Sequence, residues 1–260
     1  MWIYGTAWKE DATESCVRNA IAAGFRAIDT ANQRKHYFEA AVGRGIAAAG
    51  VPRAELWLQT KFTFRDGQDD RLPYDERAAI AIQVQQSFAS SLEHLGTDYL
   101  DSYVLHGPSR RDGLGPADHE AWRAMEALDG ARALGISNVT ARQVDELAAF
   151  AHKPIAFVQN RCYAERGWDA DVRTACARHG IRYQGFSLLT ANRYVLAIDT
   201  VRAICRKYDK TPAQIVFRFA HQIEIVPLTG TKDPKHMAED LATASFELEQ
   251  AEVDAILRDS

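Results

Sequence analysis

Short apolar runs, rich in β-branched and aromatic residues, alternate along this chain with longer stretches whose apolar positions recur every three to four residues. The alternation predicts strand then helix, repeated from one end to the other. Strands are predicted at residues 2–6, 25–30, 56–60, 100–106, 133–137, 155–159, 181–186 and 223–227. Helices are predicted near 11–23, 36–49, 77–95, 117–127, 140–151, 168–179 and 196–208, with further helical stretches around the last strand. Capping signals agree with these boundaries. Thr140 can cap the helix containing Gln143, Gly24 and Gly180 punctuate helix-to-strand turns, and Thr211-Pro212 reads as a cap followed by proline at the first helical position.

Uninterrupted strand–helix alternation implies a parallel sheet. Eight strands favour a closed (β/α)8 TIM barrel over an open doubly wound sheet, and no GxGxxG follows any strand to open a helix. No Pro/Gly/Ser-rich linker interrupts the pattern, so a single domain over residues 1–260 is expected. Two segments are irregular. The polar stretch from Phe64 to Tyr74 follows Lys61 closely and is expected to overhang the face where strands end, shaping substrate entry. Residues 129–132 leave only a tight connection into the fifth strand.

Composition narrows the function classes. With 47% apolar and 25% charged residues, the chain has ample material for a core. A formal net charge of -4, with signs interspersed, provides no field for a phosphate backbone, so nucleic acid is a poor partner. No apolar run reaches membrane-spanning length, and MWIYGTAWKE lacks the marks of a signal peptide, so a cytoplasmic protein is expected. The four cysteines form no CxxC pair and are read as free thiols; Cys162 alone lies near a strand end, as a packed bystander. The eight histidines include no HExxH, and no bound metal is expected.

The candidate chemistry stands at strand ends. Asp29, Lys61 and His106 close FRAIDTA, ELWLQTKF and LDSYVLH, and Tyr37 lies just beyond the first. A parallel barrel gathers such residues on one face. A tyrosine beside a lysine ammonium has its pKa drawn down and can pass a proton to a developing alkoxide. Asp29 would hold that ammonium, and His106 would orient and polarise a carbonyl. Each residue also has a structural reading: a helix cap, a solvated charge, a packed ring. Their joint placement favours chemistry.

The chain resembles the aldo-keto reductases, NAD(P)H-dependent carbonyl reductases built on a (β/α)8 barrel. The resemblance runs through GTAW at 5–8, AGFRAIDTA at 23–31, QTK at 59–61, LGTDYLDSYVLHGP at 95–108, LGISNV at 134–139, VQNRCY at 158–163, FSLL at 186–189 and PLTGTKDPKHMAEDL at 227–241. It implies a catalytic tetrad of Asp29, Tyr37, Lys61 and His106, with Tyr37 as general acid in reduction. Ser137, Asn138 and Asn160 match the residues that hold the nicotinamide carboxamide. Phe186 takes the place of the ring stacked on the nicotinamide, followed by Ser187 and Leu188. Leu228, Thr229, Thr231, His236, Glu239 and Asp240 match the segment gripping the adenosine half. Trp8 matches a substrate-pocket aromatic, and the implied substrate is a small carbonyl compound.

The departures from the family pattern matter equally. The usual spacing places the tyrosine where Arg34 stands, and Tyr37 arrives only after Asn32-Gln33-Arg34-Lys35-His36, with His36 as the rival proton donor. Leu228 and His236 replace the lysine and arginine that many members set against the 2′-phosphate. A hydrophobic residue cannot pair with phosphate. NADPH is the expected cofactor, with Lys232, Lys235 or His236 as substitute partners, and NADH is its competitor. The sequence ends near the helix at 250–257 without the long C-terminal loop of many members, so a more open pocket is expected. An alternative reading is a nicotinamide-binding sensor or partner subunit with little turnover. A Schiff-base lyase with Lys61 as nucleophile is opposed by Asp29.

Overall fold

The computed structural model describes residues 1–260 as a closed barrel of eight parallel strands in sequence order. The strands are β1 Ile3–Gly5, β2 Ala27–Asp29, β3 Trp57–Phe62, β4 Ser102–Leu105, β5 Leu134–Ser137, β6 Ile155–Arg161, β7 Arg182–Phe186 and β8 Val226–Thr229. Closure comes from β1 pairing with both β2 and β8. Around the barrel run α1 Thr13–Ala23, α2 Glu39–Ala49, α3 Ile80–Leu95, α4 Pro116–Glu126, α5 Ala141–Phe150, α6 Ala170–Arg178, α7 Asp199–Tyr208, α8 Pro212–Gln222, α9 Pro234–Leu241 and α10 Gln250–Asp259. No helix is long and apolar enough to cross a membrane.

The helices turn their periodic apolar stripes inward, and the last, α10, packs on α7 and α8. In α8 that stripe is Ile215, Val216, Phe217, Phe219 and Ala220. Thr140 and Thr211 cap α5 and α8 as expected, each accepting the N–H of the glutamine three residues on at 3.3 Å. Gly24 ends α1 at φ 114°, a conformation that side chains resist. Gly135 sits at the register shift between β5 and β6, where a Cβ would come within 2.7 Å of the Phe157 carbonyl oxygen.

Several boundaries differ from expectation by a few residues, and three of these bear on the site. Strand β8 begins at Val226 rather than Ile223, because α8 runs on to Gln222 and Glu224 then turns left-handed (φ 64°), returning the Ile225 N–H to the Ala220 carbonyl. Strand β6 continues to Arg161, two residues beyond the predicted end. Helix α2 starts at Glu39, so Tyr37 lies in the preceding loop rather than in the helix.

The 64–74 segment also departs from its expected role. It lines a small cavity of about 280 Å³ behind the site through Arg71, Leu72 and Pro73, and contributes nothing to the main cavity. Its bonds brace the loop before α2: Gln33 donates to the Gly67 carbonyl at 2.6 Å, and Gln68 donates to that of Asn32 at 2.9 Å.

Candidate active site

At the C-terminal ends of the strands a cavity of about 840 Å³ opens, within the range of ligand and cofactor sites. Beneath it lies a buried ion pair. Lys61 Nζ stands 2.6 and 2.7 Å from the two Asp29 oxygens and 2.8 Å from the Thr30 carbonyl, which occupies all three of its N–H donors. Two carboxamides complete the shell: Gln59 and Gln159 donate to Asp29 Oδ1 at 2.7 and 3.0 Å, and both also donate to Gln184 Oε1 at 2.9 Å. Buried charge is tolerated only when its remaining lone pairs are satisfied, which these amides accomplish. Burial lowers the Lys61 pKa from its ordinary value, with the Asp29 charge opposing.

Tyr37 reaches this layer despite the irregular loop before it. Its ring centroid lies 5.4 Å from Lys61 Nζ and 5.9 Å from the His106 ring, edge to face. The loop is anchored from within, since Asn32 donates its amide to the Ser87 carbonyl at 3.0 Å and to Ser90 and Ser91 hydroxyls at 3.1 and 3.2 Å. Arg34, at the usual tyrosine spacing, turns outward to pair with Glu10 at 3.2 Å. His36 stays at the rim, its ring tilted against that of Trp8 at 4.0 Å. Of the two rivals, Tyr37 is therefore the one beside Lys61 and His106. The expected lowering of its pKa by Lys61 does not occur. Burial, and secondly the Asp29 charge, raise it above the ordinary phenol value, and the ammonium directs its protons to Asp29 and the Thr30 carbonyl.

His106 follows β4, and its Nδ1 lies 2.7 Å from the Thr63 hydroxyl, leaving Nε2 for a ligand. Burial, then the Lys61 and His36 charges, push its pKa down to about 3. The folded protein therefore keeps this ring neutral, whereas the unfolded chain protonates it near pH ~6.5. Its stabilising contribution is present above that pH and is lost as pH falls toward about 3. His106→Gln is thus expected to flatten the acid limb of unfolding free energy against pH, measured by urea titration between those limits; an unchanged limb would contradict it.

The remaining expected site residues sort by strand. Ser137 ends β5 and donates to the Gln159 carbonyl at 2.5 Å. Asn138, left-handed at φ 57°, donates to the His106 carbonyl at 2.8 Å, and its side-chain oxygen has no protein donor. Asn160 does not join them. Because β6 extends to Arg161, strand alternation turns Gln159 and Arg161 inward and Asn160 outward. The Asn160 amide is used instead on the Val139 backbone, at 2.7 and 3.0 Å, and on Asp169 at 2.9 Å.

Phe186, half-buried at the end of β7, lines the cavity with Ser187 (φ 59°) and Leu188. Asn192, which the sequence pattern did not single out, ties this loop to the one after β6. It donates to the Leu188 and Cys162 carbonyls at 2.9 Å each, and its oxygen accepts the Ala164 N–H at 2.7 Å. Cys162 is buried, and desolvation pushes its thiol up to about 12, as suits an inert packed residue.

At the end of β8 and beyond it the cavity is lined by Leu228, Thr229, Thr231, His236, Glu239 and Asp240. This loop is fixed from below, where Tyr4 donates to the Thr231 carbonyl at 2.8 Å and Lys9 to that of Gly230 at 2.6 Å. Asp240 accepts from the Thr229 hydroxyl at 2.7 Å through one oxygen, and burial pushes its pKa up to about 6. Trp8 is 64% exposed at the rim, free for contact with a ligand.

Three comparisons bear on this arrangement. A sequence model described as the Aldo/keto reductase family matches residues 1–258. Among similar proteins, an aldo-keto reductase of Mycobacterium avium is 33% identical over 248 residues, covering 95% of this chain and 81% of its own. One from Mycolicibacterium vanbaalenii is 32% identical, over 90% of this chain and 78% of its own. Of solved structures, an aldo/keto reductase of Brucella melitensis superposes with a TM-score of 0.82 at 26% identity, covering 99% of this chain and 94% of its own. An aldo-keto reductase of Bombyx mori in complex with NADP gives 0.79 at 26% identity, over 99% and 88% of the two chains.

Proposed function

The chain belongs to the aldo/keto reductase family, and from that premise we propose that it reduces an aldehyde or ketone to an alcohol, with NAD(P)H as hydride source and Tyr37 as proton donor. The observation that carries the reading is the convergence of the Tyr37 ring and a neutral His106 on one cavity, above the buried Asp29–Lys61 pair. The lining fits a nicotinamide dinucleotide: a half-buried Phe186 ring, an unpartnered Asn138 oxygen, and at the far end an Asp240 oxygen with no protein donor. When bound, the reduced nicotinamide supplies the hydride. His106 Nε2 and the Tyr37 hydroxyl, which has no protein partner, would hold the carbonyl oxygen, and Tyr37 would protonate it as the alcohol forms. Asp29, with its amide shell, keeps Lys61 in place beneath the phenol.

The test is fluorescence titration with NADPH and NADH, then turnover of benzaldehyde and a panel of other aldehydes. Absence of binding by both cofactors would remove the reading. For the cofactor we expect NADPH to bind, with a narrow margin. Near the adenosine end stand Lys232, Lys235 and His236, all exposed; Lys235 lies 3.7 Å from Glu239, and His236 lies 3.9 Å from Asp233. Exposed ion pairs contribute roughly 0–1 kcal/mol each, and since Lys235 and His236 already face carboxylates, about one such pair is left for the 2′-phosphate, so the ratio of the two dissociation constants is expected to stay under about tenfold. A ratio of a hundred or more would show a phosphate clamp that these residues do not account for.

One observation favours the second reading, a cofactor-binding protein with little turnover: Lys61 donates nothing to the Tyr37 hydroxyl. Tight cofactor binding with no turnover across the aldehyde panel would select it.

A further inference from the structure

Arg161 is the only lysine or arginine among the residues lining the main cavity. It ends β6, on the same inward-facing register as Gln159, whose amide bonds Asp29. At ~3.3 Å rise per residue, its Cα stands about 6.6 Å above that of Gln159, one side-chain layer nearer the mouth. Its guanidinium carbon lies 5.6 Å from the Phe186 ring centroid, at the outer limit of a cation–π contact. It makes no salt bridge, and its side chain donates no hydrogen bond, although it is exposed to the cavity. The cavity's own carboxylates are occupied or remote: Asp29 is paired with Lys61, and Glu239 and Asp240 belong to α9 beyond β8.

We infer that Arg161 binds the carboxylate of the substrate, so that the preferred substrates are aldehydes or ketones that carry an acid group. The inference rests on the reductase reading above and names the substrate class of that site. A guanidinium presents a planar fork that matches a carboxylate in two parallel hydrogen bonds. A phosphate monoester, with a charge of roughly −1.5 to −2, would need a second cation, and Arg161 stands alone. With the carbonyl oxygen at Tyr37 and His106, the acid group would lie toward the mouth above Gln159. Arg161 then acts as a specificity-determining residue and takes no part in proton transfer.

The experiment compares wild type with Arg161→Gln and Arg161→Lys, using 4-carboxybenzaldehyde and benzaldehyde as substrates. Arg161→Gln is expected to raise KM for the acid aldehyde tenfold or more while leaving kcat for both, and KM for benzaldehyde, within about twofold; Arg161→Lys recovers part of the loss. Binding of benzoate, followed by tryptophan fluorescence without turnover, is expected to weaken in Arg161→Gln, with benzamide binding unchanged. Equal losses for both aldehydes, or benzoate binding that ignores the substitution, would overturn the assignment. So would loosened NADPH and NADH with an unaltered substrate ratio, which would give Arg161 to the cofactor's pyrophosphate. If wild type reduces no aldehyde of the panel, the reductase reading fails, and the benzoate measurement alone decides whether Arg161 is a carboxylate site.

Discussion

Tyr37→Phe is expected to lower kcat for aldehyde reduction by roughly 10²–10⁴-fold, the usual contribution of a positioned proton donor, with cofactor binding and melting temperature unchanged. The ring's packing does not depend on the hydroxyl, because its contacts are the edge-to-face approach to His106 at 5.9 Å and the ammonium 5.4 Å from its centroid. The lost rate therefore reports the proton alone. Burial and the Asp29 charge keep the phenol protonated across the working pH range, which suits an acid and hinders a base. Alcohol oxidation by the same enzyme, which needs the phenolate, should accordingly be slow at neutral pH and rise as pH increases. Activity retained within threefold in Tyr37→Phe would dismiss the phenol as donor and turn attention to His36.

The second large effect is on stability. Lys61→Met preserves the side chain's length and apolar stem while leaving the Asp29 carboxylate buried with only amide donors and no counter-charge. Breaking a buried pair from one side costs roughly 3–5 kcal/mol. At about 2–4 °C per kcal/mol for a chain of this size, the melting temperature should fall by roughly 6–20 °C. The double variant Asp29→Asn with Lys61→Met carries no buried charge and should recover much of that loss, though not the activity. A double variant less stable than Lys61→Met alone would mean that the pair itself, rather than its neutralisation, holds the barrel's centre together.

Much of the barrel was legible because period and punctuation agree. Alternating short apolar runs and helical stripes fixed the count of strands, and Thr140, Thr211 and Gly24 marked their connections. Asp29, Lys61 and His106 were legible for the same reason, since a parallel barrel leaves little choice about where strand ends gather. What escaped depends on orientation at a boundary. Asn160 was expected at the ligand from the family resemblance alone; β6 runs on through it to Arg161, and the alternation of the strand brings Gln159 and Arg161 to the cavity instead. The Gln59–Gln159–Gln184 shell was equally hidden, because it joins three strands through side chains whose meeting no single segment encodes. The rise in the Tyr37 pKa was hidden too, because it comes from burial and from the Asp29 charge, and no segment of sequence shows how deeply a loop tyrosine is buried.

The three bonds of Asn192 join two loops with different tasks, one following Phe186 at the expected nicotinamide position and the other following Arg161. Whatever stiffens one stiffens its neighbour. Ordering entropy lost when the first ligand settles need not be lost again for the second. Cofactor and acid-bearing substrate should then bind with positive cooperativity even if they never touch, and Asn192→Ala should abolish that coupling while leaving each separate affinity nearly intact.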